Sequence, residues 1–485
     1  MRLTRRLGLD LAFATLLVAA GGEAAAALPR AVARAFLDQH IPLSAVGAYV
    51  QELGEVQPLV SQQPRRPMAP ASTMKLVTTF AALELLRPDY RWKTEAYADG
   101  SIVDGVLQGD LVLKGYGDPK ITVEQFQELV ARLRATGLRD VRGDLVVDRS
   151  HFAPPPYDPA AFDGEPLRPY NVGPDALLVN FKSVRFVFAP NAAGNAVDVR
   201  TEPALGNVIV RAAPRLVGGE CGDWRADLHA DFDDRGDGAD ATFAGDYAAS
   251  CGEREWFVAL LDVPHYALAT FARMWTDAGG RFEGAVREGR APRGAKPIAV
   301  LQSPPLYDVV RDINKLSNNV MARQLFLTMA TTTAPTPATR QNAVRAIDRW
   351  LKERRLRMPE LVLDNGSGLS RKARISARSM AGLLLAADGS DIRDEFVSSL
   401  AVAATDGTMR KRFLSDDVAD QALLKTGTLE GVRAIAGYVF DPTGRRFVVV
   451  CFVNHRNAAR AQAPMDLLVQ WVYEHGRDGA GLPGR

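Results

Sequence analysis

After Pro70, apolar residues recur every three or four positions, at Leu76, Val77, Phe80, Ala81 and Leu85, which predicts a helix over Ser72 to Leu86 with one face buried. From about 92 to 295 the pattern changes to short runs such as GDLVLKG, GDLVVDRS, SVRFVFAP and GNVIVRAAP. Gly, Pro and Asp break them up, the texture of antiparallel strands and turns. Within that stretch ADFDDRGDGADAT reads as a solvated polar loop. It is a poor calcium loop, because Arg235 stands at a ligand position and Thr242 replaces the closing glutamate.

Helical spacing returns in DVVRDINKLSNNVMARQLFLTMA and near TRQNAVRAIDRWLKERR. An apolar strand pattern, ALLKTGTLEGVRAIAGYVFD, then turns at Pro442-Thr443-Gly444 into RRFVVVCFVNH, which predicts a hairpin. The closing helix PMDLLVQWVYEHG is expected to lay Leu467, Leu468, Trp471 and Val472 on that sheet. The expected class is α/β (α+β): an antiparallel sheet flanked by helices, over residues 28–95 and 296–480, interrupted by a long β-rich insertion over 96–295.

The first residues follow a different pattern. Arg2, Arg5 and Arg6 precede an apolar run through Val18, then small residues Ala24 to Ala27, the layout of a secretory signal peptide cleaved near Ala26/Ala27. Thr4-Arg5-Arg6 leaves Sec and twin-arginine export both open, and the run is too short and interrupted for a membrane anchor. With no later segment apolar enough to span a bilayer, a periplasmic chain without a transmembrane anchor is expected.

Export permits disulfides, and the three cysteines divide unevenly. Cys221 and Cys251 flank a polar stretch and are predicted to pair, whereas Cys451 lies in FVVVCFVN and is predicted to be a buried free thiol. The 485 residues are 47% hydrophobic and 24% charged, enough for more than one core, and a formal charge of +2 offers no basic stripe for nucleic acid or lipid headgroups.

The candidate chemistry begins in PASTMKLVTT. Ser72 and Lys75 stand at i and i+3, on one helix face and within mutual reach, at a helix N-terminus whose dipole favours negative charge on the serine oxygen. A serine hydroxyl needs a base, and a lysine serves only if its pKa falls from about 10.4 toward neutrality. A fall of two to three units costs roughly 3 to 4 kcal/mol, which burial and a second cation such as Lys425 could supply. Alone, Ser-x-x-Lys also describes a serine cap followed by a solvated lysine.

Downstream, Ser317-Asn318-Asn319 and Lys425-Thr426-Gly427 complete the order Ser-x-x-Lys, Ser-x-Asn, Lys-Thr-Gly. Singly these read as a capped turn and as an edge strand with a lysine guarding it; together they argue against both. No Gly-x-Ser-x-Gly elbow is in register, since Asn365-Gly366-Ser367-Gly368 misses it and reads as a tight turn. The six scattered histidines show no metal-ligand spacing.

On these motifs the chain resembles the penicillin-recognising serine enzymes. Its long gap from Ser72 to Ser317 is similar to that of the low-molecular-mass class C penicillin-binding proteins, the D-alanyl-D-alanine carboxypeptidase/endopeptidase family. The segments Leu113 to Pro119, Asp364 to Arg371 and Asp406-Gly407-Thr408 carry the resemblance further. It implies a transpeptidase/β-lactamase-like domain, no metal or organic cofactor, peptidoglycan stem peptides as substrates and β-lactams as covalent inhibitors.

It further implies that Ser72 attacks the penultimate D-alanine carbonyl with Lys75 as base. Ser317 would relay a proton to the leaving amine, and Asn319 would position the substrate amide. Lys425 and Thr426 would bind the substrate carboxylate, and Gly427 would allow close backbone approach. The Ser72 and Thr428 N–H groups would form an oxyanion hole worth about 3 to 4 kcal/mol per donor. A β-lactamase shares the three motifs, and a β-lactam or cell-wall sensor that has lost deacylation would keep the pocket.

Overall fold

The apolar runs late in the chain form the middle of a six-stranded antiparallel sheet. Its strands are β1 (Val46–Glu52), β2 (Val60–Gln62), β3 (Ala401–Val402), β4 (Ala422–Leu429), β5 (Val432–Phe440) and β6 (Arg446–Asn454). Their order is β3-β4-β5-β6-β1-β2. The computed structural model describes residues 27–154, 156–333 and 337–475. Residues 1–26, which hold the expected signal peptide up to its cleavage point, lie outside the described residues.

The β6 sequence is unbroken in its apolarity because both sheet faces are covered. Phe447, Val449, Cys451 and Val453 face the terminal helices Arg30–Asp38 and Gln462–His475, while Val448, Val450 and Phe452 face a helical layer. The expected single strand over residues 422–441 is two, β4 and β5, because Glu430 and Gly431 turn the chain back. The last helix buries Met465, Leu468, Val469 and Val472 on the sheet. Leu467 and Trp471, expected in that face, are only partly buried, because the contact stripe runs at i, i+3, i+4 and i+7 from Met465.

At the centre of the helical layer lies Lys75–Leu86, among Leu306–Leu316, Asn319–Met329, Arg340–Glu353 and Ala377–Asp388. Every residue from Lys75 to Leu83 is buried, so the expected one-sided helix is enclosed on all sides. Its two threonines find acceptors inside: Thr78 donates to Gly366 O at 2.6 Å and Thr79 to Lys75 O at 2.8 Å. The long helical run after residue 306 is likewise two helices, broken at Ser317-Asn318.

The insertion is β-rich, with two helices, Val123–Ala135 and Val263–Asp277, that the strand texture did not reveal. Nor is it wholly antiparallel. The twin runs GDLVLKG and GDLVVDRS lie side by side in parallel, Leu111 opposite Leu145, because the Val123–Ala135 helix carries the chain back to the same sheet end. The aspartate-rich stretch expected as a loop is a hairpin, Leu228–Asp234 with Ala239–Ala248. Ala230 and Phe232 turn toward the core while Asp231 and Asp233 face water. Strands Lys93–Val103 and Ala299–Gln302 pair with each other across the limits drawn at 95/96 and 295/296.

Cys221 and Cys251 form a disulfide with Cα atoms 4.7 Å apart. Cys451 is a buried free thiol whose pKa burial pushes up to about 12. Native protein is therefore expected to resist alkylation, to take one label after unfolding and three after unfolding with reductant. Intact-mass measurement checks this, and three labels without reductant would contradict it. Among the described residues no helix is long and apolar enough to cross a membrane.

Candidate active site

Ser72 lies in a 3-10 turn, Ala71–Met74, that leads directly into the Lys75–Leu86 helix. The sequence placed it in the helix itself. Instead Ala71 takes a left-handed φ of 46°, and the turn is tied by Thr73 Oγ1, which donates to Pro70 O at 2.7 Å. Upstream, Asn454 clamps Ala69 twice, accepting from its N–H at 2.7 Å and donating to its carbonyl at 3.0 Å. No side chain caps this helix, so Ser72 is not an N-cap; its side chain meets Lys75 Nζ at 2.9 Å. Ser72 is half-buried and Lys75 wholly enclosed, so a reactant can reach the hydroxyl while water is kept from the amine.

The amine has three polar neighbours. Besides Ser72 Oγ they are Asn319 Oδ1 and the Ser367 carbonyl, each at 2.6 Å. A neutral lysine has two N–H donors and one lone pair. Ser367 O can only accept, and so does the carbonyl oxygen of Asn319, so the two N–H groups are spoken for and the lone pair is left facing the Ser72 hydroxyl. Electrostatics favours the same protonation state. Burial, then the Lys425 and Arg323 cations, hold the Lys75 pKa well below its ordinary 10.5.

Lys425, on β4, is also fully buried, and burial lowers its pKa to about 7. It donates to Ser317 Oγ and to Thr426 O, each at 2.8 Å. Ser317 closes the Leu306–Leu316 helix with φ 59° and ψ 33°, a conformation that costs a non-glycine residue about 1 to 3 kcal/mol and that recurs at functional positions. Asn318 caps the next helix by accepting from Met321 N at 3.0 Å, which leaves Asn319 at the helix start facing Lys75.

Gly427 brings β4 against the Ser72 turn: a Cβ there would stand 2.8 Å from Pro70 O and 2.9 Å from Ser72 N. Thr426 Oγ1 and Thr408 Oγ1 are 2.8 Å apart, and the exposed Thr428 accepts from Arg433. Because the two-residue β3 covers only the start of β4, the Lys425–Leu429 backbone edge stays open.

Three contributions escaped the sequence reading, although two of them come from segments noted above for their resemblance. The Gly366-Ser367-Gly368 turn, read as scaffolding, supplies the carbonyl that holds Lys75. It can do so because Gly368, at φ 78°, passes where a Cβ would lie 1.9 Å from Ala71 O. Arg323 sits one helical turn beyond Asn319, a spacing visible in sequence, but its burial is not. Thr408 reaches Thr426 from a separate turn.

Removing the Lys425 cation relieves one of the influences that keep Lys75 neutral. Lys425→Ala is therefore expected to move the acid limb of the acylation rate to higher pH, besides lowering its maximum. An unmoved limb would contradict this. The same burial predicts that native stability rises with pH between about 7 and 10.5, where native Lys425 has lost its proton and unfolded Lys425 still binds one. Denaturant melts across that range check the sign.

Residues 28–474 match the D-Ala-D-Ala carboxypeptidase 3 (S13) family, and the chain belongs to it, as a serine-type peptidase of that class. It is 25% identical over 427 residues to D-alanyl-D-alanine carboxypeptidase DacB of Haemophilus influenzae, spanning 86% of this chain and 87% of that one. It is 28% identical over 415 residues to D-alanyl-D-alanine carboxypeptidase of Actinomadura sp. strain R39, spanning 82% and 76%. The fold matches the crystal structure of penicillin binding protein 4 (dacB) from Haemophilus influenzae with a TM-score of 0.76 at 24% identity, over 92% of this chain and 98% of that one.

Proposed function

We propose that this enzyme is a serine-type D-alanyl-D-alanine carboxypeptidase and/or D,D-endopeptidase of the periplasm, exported by a signal peptide over residues 1–27, that acts on peptidoglycan stem peptides by trimming the terminal D-alanine or cutting D-alanyl cross-links. Residues 28–95 and 296–480 carry the chemistry, and the insertion over 96–295 borders the site. The observation that supports this reading most is a fully buried Lys75 whose Nζ stands 2.9 Å from Ser72 Oγ and 2.6 Å from each of two further acceptors, Asn319 Oδ1 and Ser367 O.

In this mechanism Lys75 Nζ takes the Ser72 proton as Oγ bonds to the penultimate D-alanine carbonyl carbon. The oxyanion so formed is held by the Ser72 and Thr428 N–H groups. The stem peptide lies along the open β4 edge, its terminal carboxylate at Lys425 and Thr426, its acyl amide at Asn319. As the C–N bond breaks, Ser317 Oγ relays to the leaving amine the proton that Lys75 took, and water then hydrolyses the Ser72 ester, its OH going to the acyl carbon and its remaining hydrogen to Ser72 Oγ. A β-lactam enters the same path, but its amine stays tethered and the ester persists.

Digestion of purified muropeptides followed by mass measurement tests the reading. Loss of one alanine from pentapeptide stems is expected, together with a stable penicillin adduct. Rapid penicillin turnover without trimming would favour a β-lactamase, and an adduct without any product would favour a sensor.

A further inference from the structure

A cavity of about 170 Å³ borders the turn that holds Lys75, among the Asn319–Met329 helix, the start of the Arg340–Glu353 helix and residues 154–174 of the insertion. Its lining contains neither Ser72, Lys75, Ser317 nor any residue of β4, so none of the groups that handle substrate in the mechanism above borders it. Such a volume lies below that of cavities that take drug-sized molecules.

Arg323 borders this cavity, is 2% exposed, and has no carboxylate paired with it among the described residues. Its Nη1 donates to two backbone carbonyls, Tyr170 O at 2.9 Å and Val172 O at 2.8 Å, and its guanidinium carbon stands 5.4 Å from the centre of the Tyr157 ring. Nε is buried without an acceptor among the described residues. Nη2, also without one, is not enclosed, which leaves it facing the cavity. Since arginine keeps its proton even when buried, a full positive charge stands in the interior with part of its donor set unspent. Arg340, half exposed, borders the cavity too, its Nη2 3.4 Å from Asp364 Oδ1. The other Asp364 oxygen accepts from Ser370 Oγ at 2.8 Å. The charged lining is thus two guanidiniums against one carboxylate engaged through both oxygens. Apart from Tyr157 and Asn365 the remaining wall is apolar, and a low dielectric strengthens attraction to an anion.

We propose that this cavity is a regulatory site for a compact anion, of the size of chloride, phosphate or acetate, held by Arg323 and Arg340. The inference rests on Lys75 being the base of the reading above. Two cations act on Lys75, Lys425 from β4 and Arg323 from the Asn319–Met329 helix. An anion against Arg323 offsets one of them, so Lys75 holds its proton to higher pH and acylation slows on its acid side. Asn365 offers a second route, because it borders the cavity and ties the turn that holds Lys75. Its amide donates to Leu369 O at 2.9 Å, and its Oδ1 accepts from Ser367 N at 3.0 Å and Ser367 Oγ at 2.9 Å.

The test titrates wild type, Arg340→Gln and Arg323→Gln with chloride, phosphate or acetate at constant ionic strength, with bulky gluconate as the reference anion. Melting temperature and the pH profile of acylation by labelled penicillin are read for each. Wild type is expected to show a saturable rise in melting temperature and a move of the acid limb by about half a pH unit upward. Arg340→Gln should need about tenfold more anion for the same rise. Arg323→Gln should show neither response, its acid limb already lying at higher pH in gluconate. Responses to all three anions assign any compact anion and responses to phosphate and acetate alone assign an oxyanion; both support the site. Equal responses in all three proteins mark a general salt effect and would overturn it, as would no response in wild type. A rise in melting temperature with an unmoved acid limb would overturn the regulation. If Arg323→Gln does not fold, Arg340→Gln decides, and an unchanged anion dependence in it contradicts the site. A wild type that takes up no penicillin would instead sink the functional reading, while the melting response still decides whether the anion binds.

Discussion

Ser72→Ala protein is expected to take up no labelled penicillin and to lose D-alanine release by at least about 10⁴-fold, because the hydroxyl assigned to form the acyl ester is gone. Its stability should change by less than about 1 kcal/mol. The hydroxyl caps no helix, the residue is half-buried, and its contact in the fold is to an amine that keeps two other acceptors. A melting temperature close to wild type together with absent labelling separates lost chemistry from lost structure. Labelling equal to wild type would end the assignment of the nucleophile.

Lys75→Ala should retain the nucleophile and lose its base. Acylation is expected to slow by about 10² to 10⁴-fold, the usual contribution of a positioned proton acceptor. Binding of the uncleaved stem peptide should weaken much less, since Lys425, Thr426 and Asn319 remain. Stability responds in two directions. The variant leaves Asn319 Oδ1 and Ser367 O without their donor, at about 1 to 3 kcal/mol for each buried orphan, and opens a cavity in the enclosed helix. It also relieves the cost of burying an amine. Lys75→Met, which keeps the length of the side chain, isolates the chemical loss from the packing loss. Both variants should acylate equally slowly, and acylation by Lys75→Met at the wild-type rate would show that another group takes the proton.

How much of this could be read from the chain depends on the distance over which each contact is set. The Ser72–Lys75 contact is local: a separation of three residues around a helical start fixes it almost regardless of the rest of the fold. Ser317 and Lys425 were recognisable as candidates by their motifs, but their contact joins residues 108 positions apart and is made by sheet and helix packing. The Asp364–Arg371 segment was noted for its resemblance, but the part played by the Ser367 carbonyl was not legible in it, because a backbone acceptor has no residue type. Only the close pass of Gly368 against Ala71 reveals why glycine flanks it. The burial of Arg323 was hidden for a related reason, since an arginine on a helix usually faces water.

The fold followed the same division. The β5–β6 hairpin was legible because its turn and both strands are contiguous. The pairing of β1 with β6 was not, because about 400 residues separate Ala48 from its partner Cys451. Parallel pairing of the two GDLV runs required knowing that the intervening segment forms a helix, and VEQFQELVARLRA does carry helical spacing, with Phe126, Leu129, Val130 and Leu133 buried. The surrounding turn residues and short strands drew the reading toward hairpins instead.

The central claim is that one hydroxyl, deprotonated by a buried amine, forms the covalent intermediate. Its most direct test is to trap wild-type protein with penicillin, digest it and locate the added mass by fragment-ion sequencing. The account predicts a single adduct on Ser72, formed faster as pH rises through the range where Lys75 loses its proton. An adduct on Ser317 or Ser367, or one on Ser72 whose rate ignores pH across that range, would contradict it.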